Sequence, residues 1–358
     1  MRVKGIFVGA SVMIGTIVGA GIFGIPYAFS KTGFALGSIA LSLSCLLLGI
    51  TSLMLADMGK EEDEIPDIYS RYTGKFGFII SSLSLFFLCF GAIVAYNIGI
   101  GEAVNALIGI DKRVASIMFV FLISLLGYKG IRVLSEVQTC LVIILITSAF
   151  LIAFFLTPGV KISNLYGSSP ANFFYTFNVC VFASAGYSSI PILLKFLDKR
   201  RVGISVLLAY LFVFVLYFVF ALAFLGNYGE NIKQIAIENL TGIKKVFGLA
   251  LVLLCMSTSY ISLGYVLFCM LERDFKLNRF LSLFIAYYLP FFVAYIGKLG
   301  FVDILSITGA VGMVVTGGLT GIAYYNYSKK IRGKVIGITL TLVYLSILAG
   351  TILTSFAS

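Results

Sequence analysis

Eleven long apolar runs separated by short charged segments constrain this chain more than any other feature. They lie at about 5–29, 35–56, 76–108, 114–128, 133–157, 171–194, 202–226, 245–271, 280–297, 299–326 and 335–356. A helix needs roughly 20 apolar residues to cross the hydrocarbon core of a bilayer. The pattern therefore predicts an all-α integral membrane protein with about eleven transmembrane helices. The fourth run is the shortest, and the third is long enough to tilt. The first run has no small-residue cleavage site and carries Pro26 in a glycine-rich centre, so it reads as a structural span rather than a cleaved signal peptide. Charged residues make up only 11% of the chain, against about 25% in soluble domains.

Charge placement then orients the spans. The net charge of +11 could suggest a nucleic-acid partner, but the basic residues fall between the apolar runs, so none is expected. With the N-terminus inside, the outer segments hold eight basic residues: Lys31, Lys112, Arg113, Lys161, Lys233, Lys244, Lys245 and Lys298. The other eighteen of the 26 fall in inner segments. Excess Lys and Arg marks the cytoplasmic side, which predicts a multi-pass protein of the cell membrane, N-terminus cytoplasmic and C-terminus extracellular. Two loops have appreciable length. The inner segment Asp57–Lys75 carries Glu61, Glu62, Asp63 and Glu64 and reads as a solvated loop. The outer segment Asn227–Lys245 has helical spacing at Ile232, Ile235 and Ile237, as in an interfacial helix over an outer vestibule.

Span one contains the stretch Gly15-Thr16-Ile17-Val18-Gly19-Ala20-Gly21-Ile22-Phe23-Gly24-Ile25-Pro26. An interior Gly costs about 1 kcal/mol relative to Ala in a helix, and Pro about 3. Freed backbone groups at membrane depth must line a cavity or be buried in protein. Small-xxx-small packing at Gly15 and Gly19 would account for the glycines, but not for Pro26. The sixth span repeats the spacing: Gly21 to Pro26 reads G-x-x-x-I-P, and so does Gly186 to Pro191. The two copies head successive sets of five spans. Five is odd, so the sets cross the membrane in opposite senses. Paired interrupted helices at matching places in two halves point to a transporter's midplane site. The expected division is a first five-helix repeat over 1–157, an inverted second repeat over 158–326 and an additional C-terminal helix over 327–358.

Gly15 to Pro26 followed by Tyr27-Ala28, together with Phe182-Ala183-Ser184-Ala185-Gly186, resembles the amino acid/auxin permease family of the amino acid–polyamine–organocation superfamily. The resemblance implies a leucine-transporter-like fold and an amino acid substrate. It implies that N–H groups around Gly19, Ala20 and Gly21 take the substrate carboxylate. Carbonyls near Thr16, Ile17, Ala183 and Ser184 would take its amine. Phe182 corresponds to a gating aromatic four residues before Gly186, and Tyr187 follows that glycine where relatives often carry histidine or another bulky residue. Tyr96 and Asn97, well inside span three, are further candidates for substrate contact. Sodium-coupled relatives place an ion between spans one and eight. Here that implies carbonyls of Gly15 and Val18 with Cys255, Thr258 and Ser259, which share one helical face and bring hydroxyl oxygens of the kind hard cations prefer. Those hydroxyls could equally bond back to the preceding turn.

Span five contains no Lys or Arg, whereas proton-driven relatives can carry a lysine there, and this favours sodium modestly. Glu102, Glu136 and Asp303 are the proton carriers if sodium is not used. No other cofactor is expected. None of the fifteen acidic residues falls near a midplane, which favours a net-neutral substrate, aromatic or otherwise hydrophobic, over a cationic one. His is absent, removing the usual neutral-pH proton carrier. The six cysteines lie in apolar runs without CxxC spacing. A membrane-embedded enzyme would lack an acid/base pair or metal site, a channel would lack a filter, and a transport-like sensor would lack a large soluble region. The expectation is a secondary active transporter, not an enzyme. Its partners are a small amino acid and the lipid bilayer, with the oligomeric state left open.

Overall fold

The computed structural model describes residues 2–129, 134–167, 169–273, 275–297 and 299–357. Arg132, Asp274 and Lys298, and the side chains of Glu136 and Cys140, lie outside the described residues. Every described regular element is helical. Among the described residues, helices occupy all eleven apolar runs, and ten are long and apolar enough to cross a membrane when the bent pair in span one counts once. The fourth run forms the helix Lys112–Lys129. Its uncharged stretch of 15 residues between Arg113 and Lys129 spans only ~22 Å at 1.5 Å per residue, short of the ~30 Å core.

Span three is longer than the apolar pattern indicates, running Ile65–Ile108 with a break at Gly74, where φ is +66°. Its first turns lie within the segment 57–75. Glu61, Glu62 and Glu64 are exposed as expected, but Asp63 is buried. Its carboxylate accepts from Arg71 Nη1 at 2.8 Å and from the Lys60 N–H at 2.8 Å. Burial pushes the Asp63 carboxyl up, but these hydrogen bonds outweigh it and hold the group below the ordinary carboxylate range.

The expected interfacial helix at 227–245 is instead two 3-10 turns, Gly229–Asn231 and Ala236–Asn239. Ile232, Ile235 and Ile237 are buried against the bundle rather than turned toward lipid, and Gln234 Oε1 accepts from the Val302 N–H at 3.0 Å. A segment this short gains more by closing over the helix ends than by forming an isolated helix.

Span ten, Phe301–Tyr327, contains a π-helical turn at Gly309–Met313. The last span, Ile331–Ala357, packs closely on it because both carry glycine at the contact. A Cβ added at Gly337 would lie 2.7 Å from the Gly321 carbonyl oxygen, the close backbone approach that small residues permit between membrane helices. Tyr344 then reaches Thr51 of span two at 3.0 Å.

Candidate functional site

Both predicted breaks are present. Span one consists of Arg2–Ile17 and Gly21–Thr32, bent by 63° across Val18–Ala20. Span six consists of Phe173–Ala183, an irregular Ser184–Gly186, a 3-10 turn at Tyr187–Ser189 and the short helix Ile190–Leu194. Pro26 and Pro191 lie within or at the start of the second helical segments.

The two breaks touch. A Cβ added at Gly21 would stand 2.7 Å from both Cα and Cβ of Ala183, and one added at Gly186 would overlap the Ile17 side chain. Glycine is needed at both places for close approach. One side chain joins the breaks further. The Tyr217 hydroxyl, from span seven (Lys199–Tyr228), lies 3.2 Å from the Ile17 carbonyl and 2.9 Å from the Ala183 carbonyl. Tyr217 is fully buried. Two carbonyls left without helical partners thus share one donor, in a setting where an unpartnered group is costly.

Beside the breaks lies a cavity of about 350 Å³, within the ~300–1,000 Å³ usual for small-molecule sites. Of the sequence-derived residues, Gly15, Thr16, Ile17, Val18, Gly19, Ala20, Gly21, Tyr96, Phe182, Ala183 and Ser259 line it. The N–H groups of Gly19 and Ala20 have no hydrogen-bond partner among the described residues, and the helix from Gly21 begins there without a side-chain cap. Unsatisfied N–H groups at a helix start attract an anion.

The remaining sequence-derived residues stand apart from the cavity wall. Asn97 is fully buried. Its amide donates to the Ile93 carbonyl at 2.9 Å and the Tyr260 hydroxyl at 3.2 Å, and accepts from Ser116 at 2.9 Å. It is a satisfied junction among spans three, four and eight. Ser184 turns toward Cys45, with Oγ 3.6 Å from Sγ, and Gly186 is covered by Ile17. Cys255 and Thr258 are also off the wall, and the Thr258 hydroxyl bonds back to the Leu254 and Cys255 carbonyls at 3.1 and 3.0 Å. The local hydrogen bond has displaced the outward oxygen at that position, while Ser259, one residue on, faces the cavity. Of the proton-carrier candidates, Glu102 pairs with Lys112 at 3.3 Å and Asp303 is held as described below. Sequence reasoning missed Ser188, Ser189 and Ser262, which line the wall, and Tyr217.

The cavity is closed on one side and open on the other. Ser188 and Ile192 of span six and Val266 of span eight are wall residues with exposed surface, so the opening faces the membrane side that holds the N-terminus. On the opposite side span ten covers the halves of spans one and six that lie away from the N-terminus. Tyr175 donates to Asp303 at 2.8 Å, Ser306 donates to the Tyr175 carbonyl at 3.3 Å, and Gly309 lies against the Asn178 carbonyl. A hydrogen bond to a charged group contributes about 1.5–3 kcal/mol, so Tyr175→Phe should shift the balance between closed and open states of this side by about ten-fold or more. The check is the labelling rate of a cysteine placed at Ala185 by a reagent confined to the side opposite the N-terminus. An unchanged rate would mean that the pair does not hold the closure.

Several known proteins are similar along most or part of this chain. Glutamine transporter 2 of Aliivibrio fischeri is 18% identical over 330 residues, covering 86% of this chain and 85% of that protein. Tyrosine-specific transport system 1 of Haemophilus influenzae is 24% identical over 205 residues, 53% of this chain and 50% of that protein. The tryptophan-specific transport protein of Pseudomonas aeruginosa is 22% identical over 249 residues, 61% of this chain and 57% of that protein. The tryptophan/tyrosine permease family matches residues 2–334, breaks and cavity included, and the chain belongs to that family.

Proposed function

We propose that this protein is a secondary active transporter that carries neutral amino acids, aromatic or otherwise hydrophobic, across the cell membrane by alternating access. The observation that carries the reading is the meeting of two broken helices at one cavity, with free N–H groups of Gly19 and Ala20 on its wall. An α-amino acid has an anion and a cation on neighbouring atoms, and a break offers both N–H and C=O groups. The carboxylate is assigned to the N–H groups around Gly19, Ala20 and Gly21. The amine is assigned to carbonyls near Thr16, Ile17 and Ala183, the last two of which share Tyr217 as a donor. Tyr96 and Phe182 supply the apolar wall for the side chain. The opening toward the N-terminal side corresponds to the inward-facing state of a chain with a cytoplasmic N-terminus.

The finer resemblance to the amino acid/auxin permeases supports two inverted five-helix repeats, 1–157 and 158–326, with an added helix over 327–358. The transporter names of the relatives, and membership of a permease family, favour transport over catalysis. Uptake into proteoliposomes with a panel of amino acids is the direct test. Accumulation of a neutral amino acid against its gradient is expected. Flux without accumulation would point to a channel, and no flux with retained binding to a sensor.

Sodium is the proposed coupling ion, held by carbonyls of Gly15 and Val18 with Ser259 and a re-aimed Thr258. Thr258→Val nearly conserves volume and removes only oxygen. It is expected to raise the sodium concentration for half-maximal uptake by about ten-fold or more. A hydroxyl that serves only its own helix contributes about 0.5–1.5 kcal/mol and would leave that concentration nearly unchanged. Uptake by the wild type that is indifferent to sodium would transfer coupling to protons.

A further inference from the structure

An apolar groove lies away from the transport cavity. It has a volume of about 470 Å³ and runs between span five, Leu134–Leu156, and span eight, Gly242–Arg273. Its walls are apolar, including Ile144, Leu151, Phe247 and Leu254, with the small residues Gly248 and Ala250 along its length. Lys244 stands at one end, with Nζ 5.7 Å from the centre of the Phe155 ring. That end is the face carrying the 3-10 turns Thr157–Gly159 and Ala236–Asn239.

We propose that this groove binds one anionic phospholipid from the adjacent leaflet, with an acyl chain between spans five and eight and the phosphate at Lys244. Length and charge both support that occupant. From Lys244 to Leu254 the groove follows ten residues of helix, ~15 Å at 1.5 Å per residue. That is about half of the ~30 Å hydrocarbon core, the depth of a single leaflet. The lining residues end at Ile144 of span five and Leu254 of span eight, a length that suits an acyl chain entering from the Lys244 end. Charge is one-sided at the mouth. Lys244 and Lys245 form no ion pair among the described residues, and Glu238, six residues before Lys244 in the chain, is paired with Lys233 at 3.5 Å. A basic side chain close to the bilayer surface favours an anionic headgroup. Phe247 and Ile243, about 70% exposed at the same end, suit the boundary between headgroup and chain.

The test uses the purified full chain and native mass spectrometry with phosphatidylglycerol or phosphatidylcholine of matched acyl chains. Wild type should retain phosphatidylglycerol preferentially. Lys244→Gln should weaken that retention about five-fold, the effect of one basic residue at a membrane surface, and leave phosphatidylcholine unaffected. Ala250→Phe, at an exposed position on the groove, should displace the retained lipid by filling the channel while Lys244 is intact. Equal retention of the two lipids by wild type would overturn the proposal. So would unchanged phosphatidylglycerol retention in either variant, which would leave only a general lipid annulus. These measurements involve no amino acid flux and stand or fall separately from the transport reading.

Discussion

Gly21→Val is expected to reduce uptake at least a hundred-fold while leaving the amount of membrane-inserted protein near that of wild type. The added Cβ alone would meet the Cα and Cβ of Ala183 at 2.7 Å. Backbone atoms cannot rotate away, so the two breaks must separate. Overpacking of this kind costs about 1–3 kcal/mol. Each backbone hydrogen bond to a substrate contributes only about 0.5–1.5 kcal/mol, and the displaced segment carries the free N–H groups proposed to hold the carboxylate. Gly19→Ala is the matched control. Its Cβ would find only Ser259 Oγ, at 3.8 Å, an ordinary contact, and it should retain uptake within about five-fold. The measurement is initial uptake normalised to protein in the membrane. Equal activity of the two variants would show that the close approach of Gly21 to Ala183 is not needed for uptake.

The contrast between Gly21 and Asn97 shows what could be read from the chain. Helix breaks are visible because Gly and Pro within an apolar run oppose helix formation locally, and the penalty does not depend on the neighbours. The order of the helices was legible as well, since the bilayer sets the length of an apolar run that can cross it, but only ten of the eleven expected spans meet that length among the described residues. The direction of a side chain is a tertiary property. Asn97 lies one residue from Tyr96, and adjacent residues on a helix point about 100° apart. Only Tyr96 reaches the cavity, while Asn97 faces Ser116 and Tyr260. The spacing of Cys255, Thr258 and Ser259 predicts one shared helical face, but only Ser259 lines the cavity. Whether a hydroxyl points outward or bonds back depends on what fills the space beside it, and at Thr258 it bonds back. The isoleucine spacing of 232–237 matched an amphipathic helix, but burial under neighbouring segments produced 3-10 turns. Tyr217 carried no signal at all, being one of 20 tyrosines in a span without an evident break.

Tyr217→Phe should lower the maximal uptake rate by about ten-fold or more and reduce thermal stability in detergent. The substitution keeps the ring, which is fully buried, and removes only the hydroxyl oxygen. Ile17 and Ala183 are themselves almost fully buried, at 4% and 2% exposure, so the missing donor can be replaced only from the cavity that they line. Leaving a buried polar group unsatisfied costs about 1–3 kcal/mol. Two carbonyls share this hydroxyl, one from each break, so the cost falls on the geometry that relates spans one and six. Substrate binding is affected in the opposite sense, because the freed carbonyls can turn to the substrate's ammonium group. The concentration for half-maximal uptake should therefore fall or stay constant while the maximal rate drops. A tyrosine that only filled space would show neither change, since phenylalanine fills nearly the same volume. A tyrosine that bound substrate directly would show the half-maximal concentration rising. Measuring the two kinetic constants and the melting temperature on the same preparation separates these three roles, and a rise in the half-maximal concentration would move Tyr217 from holding the breaks together to touching the cargo.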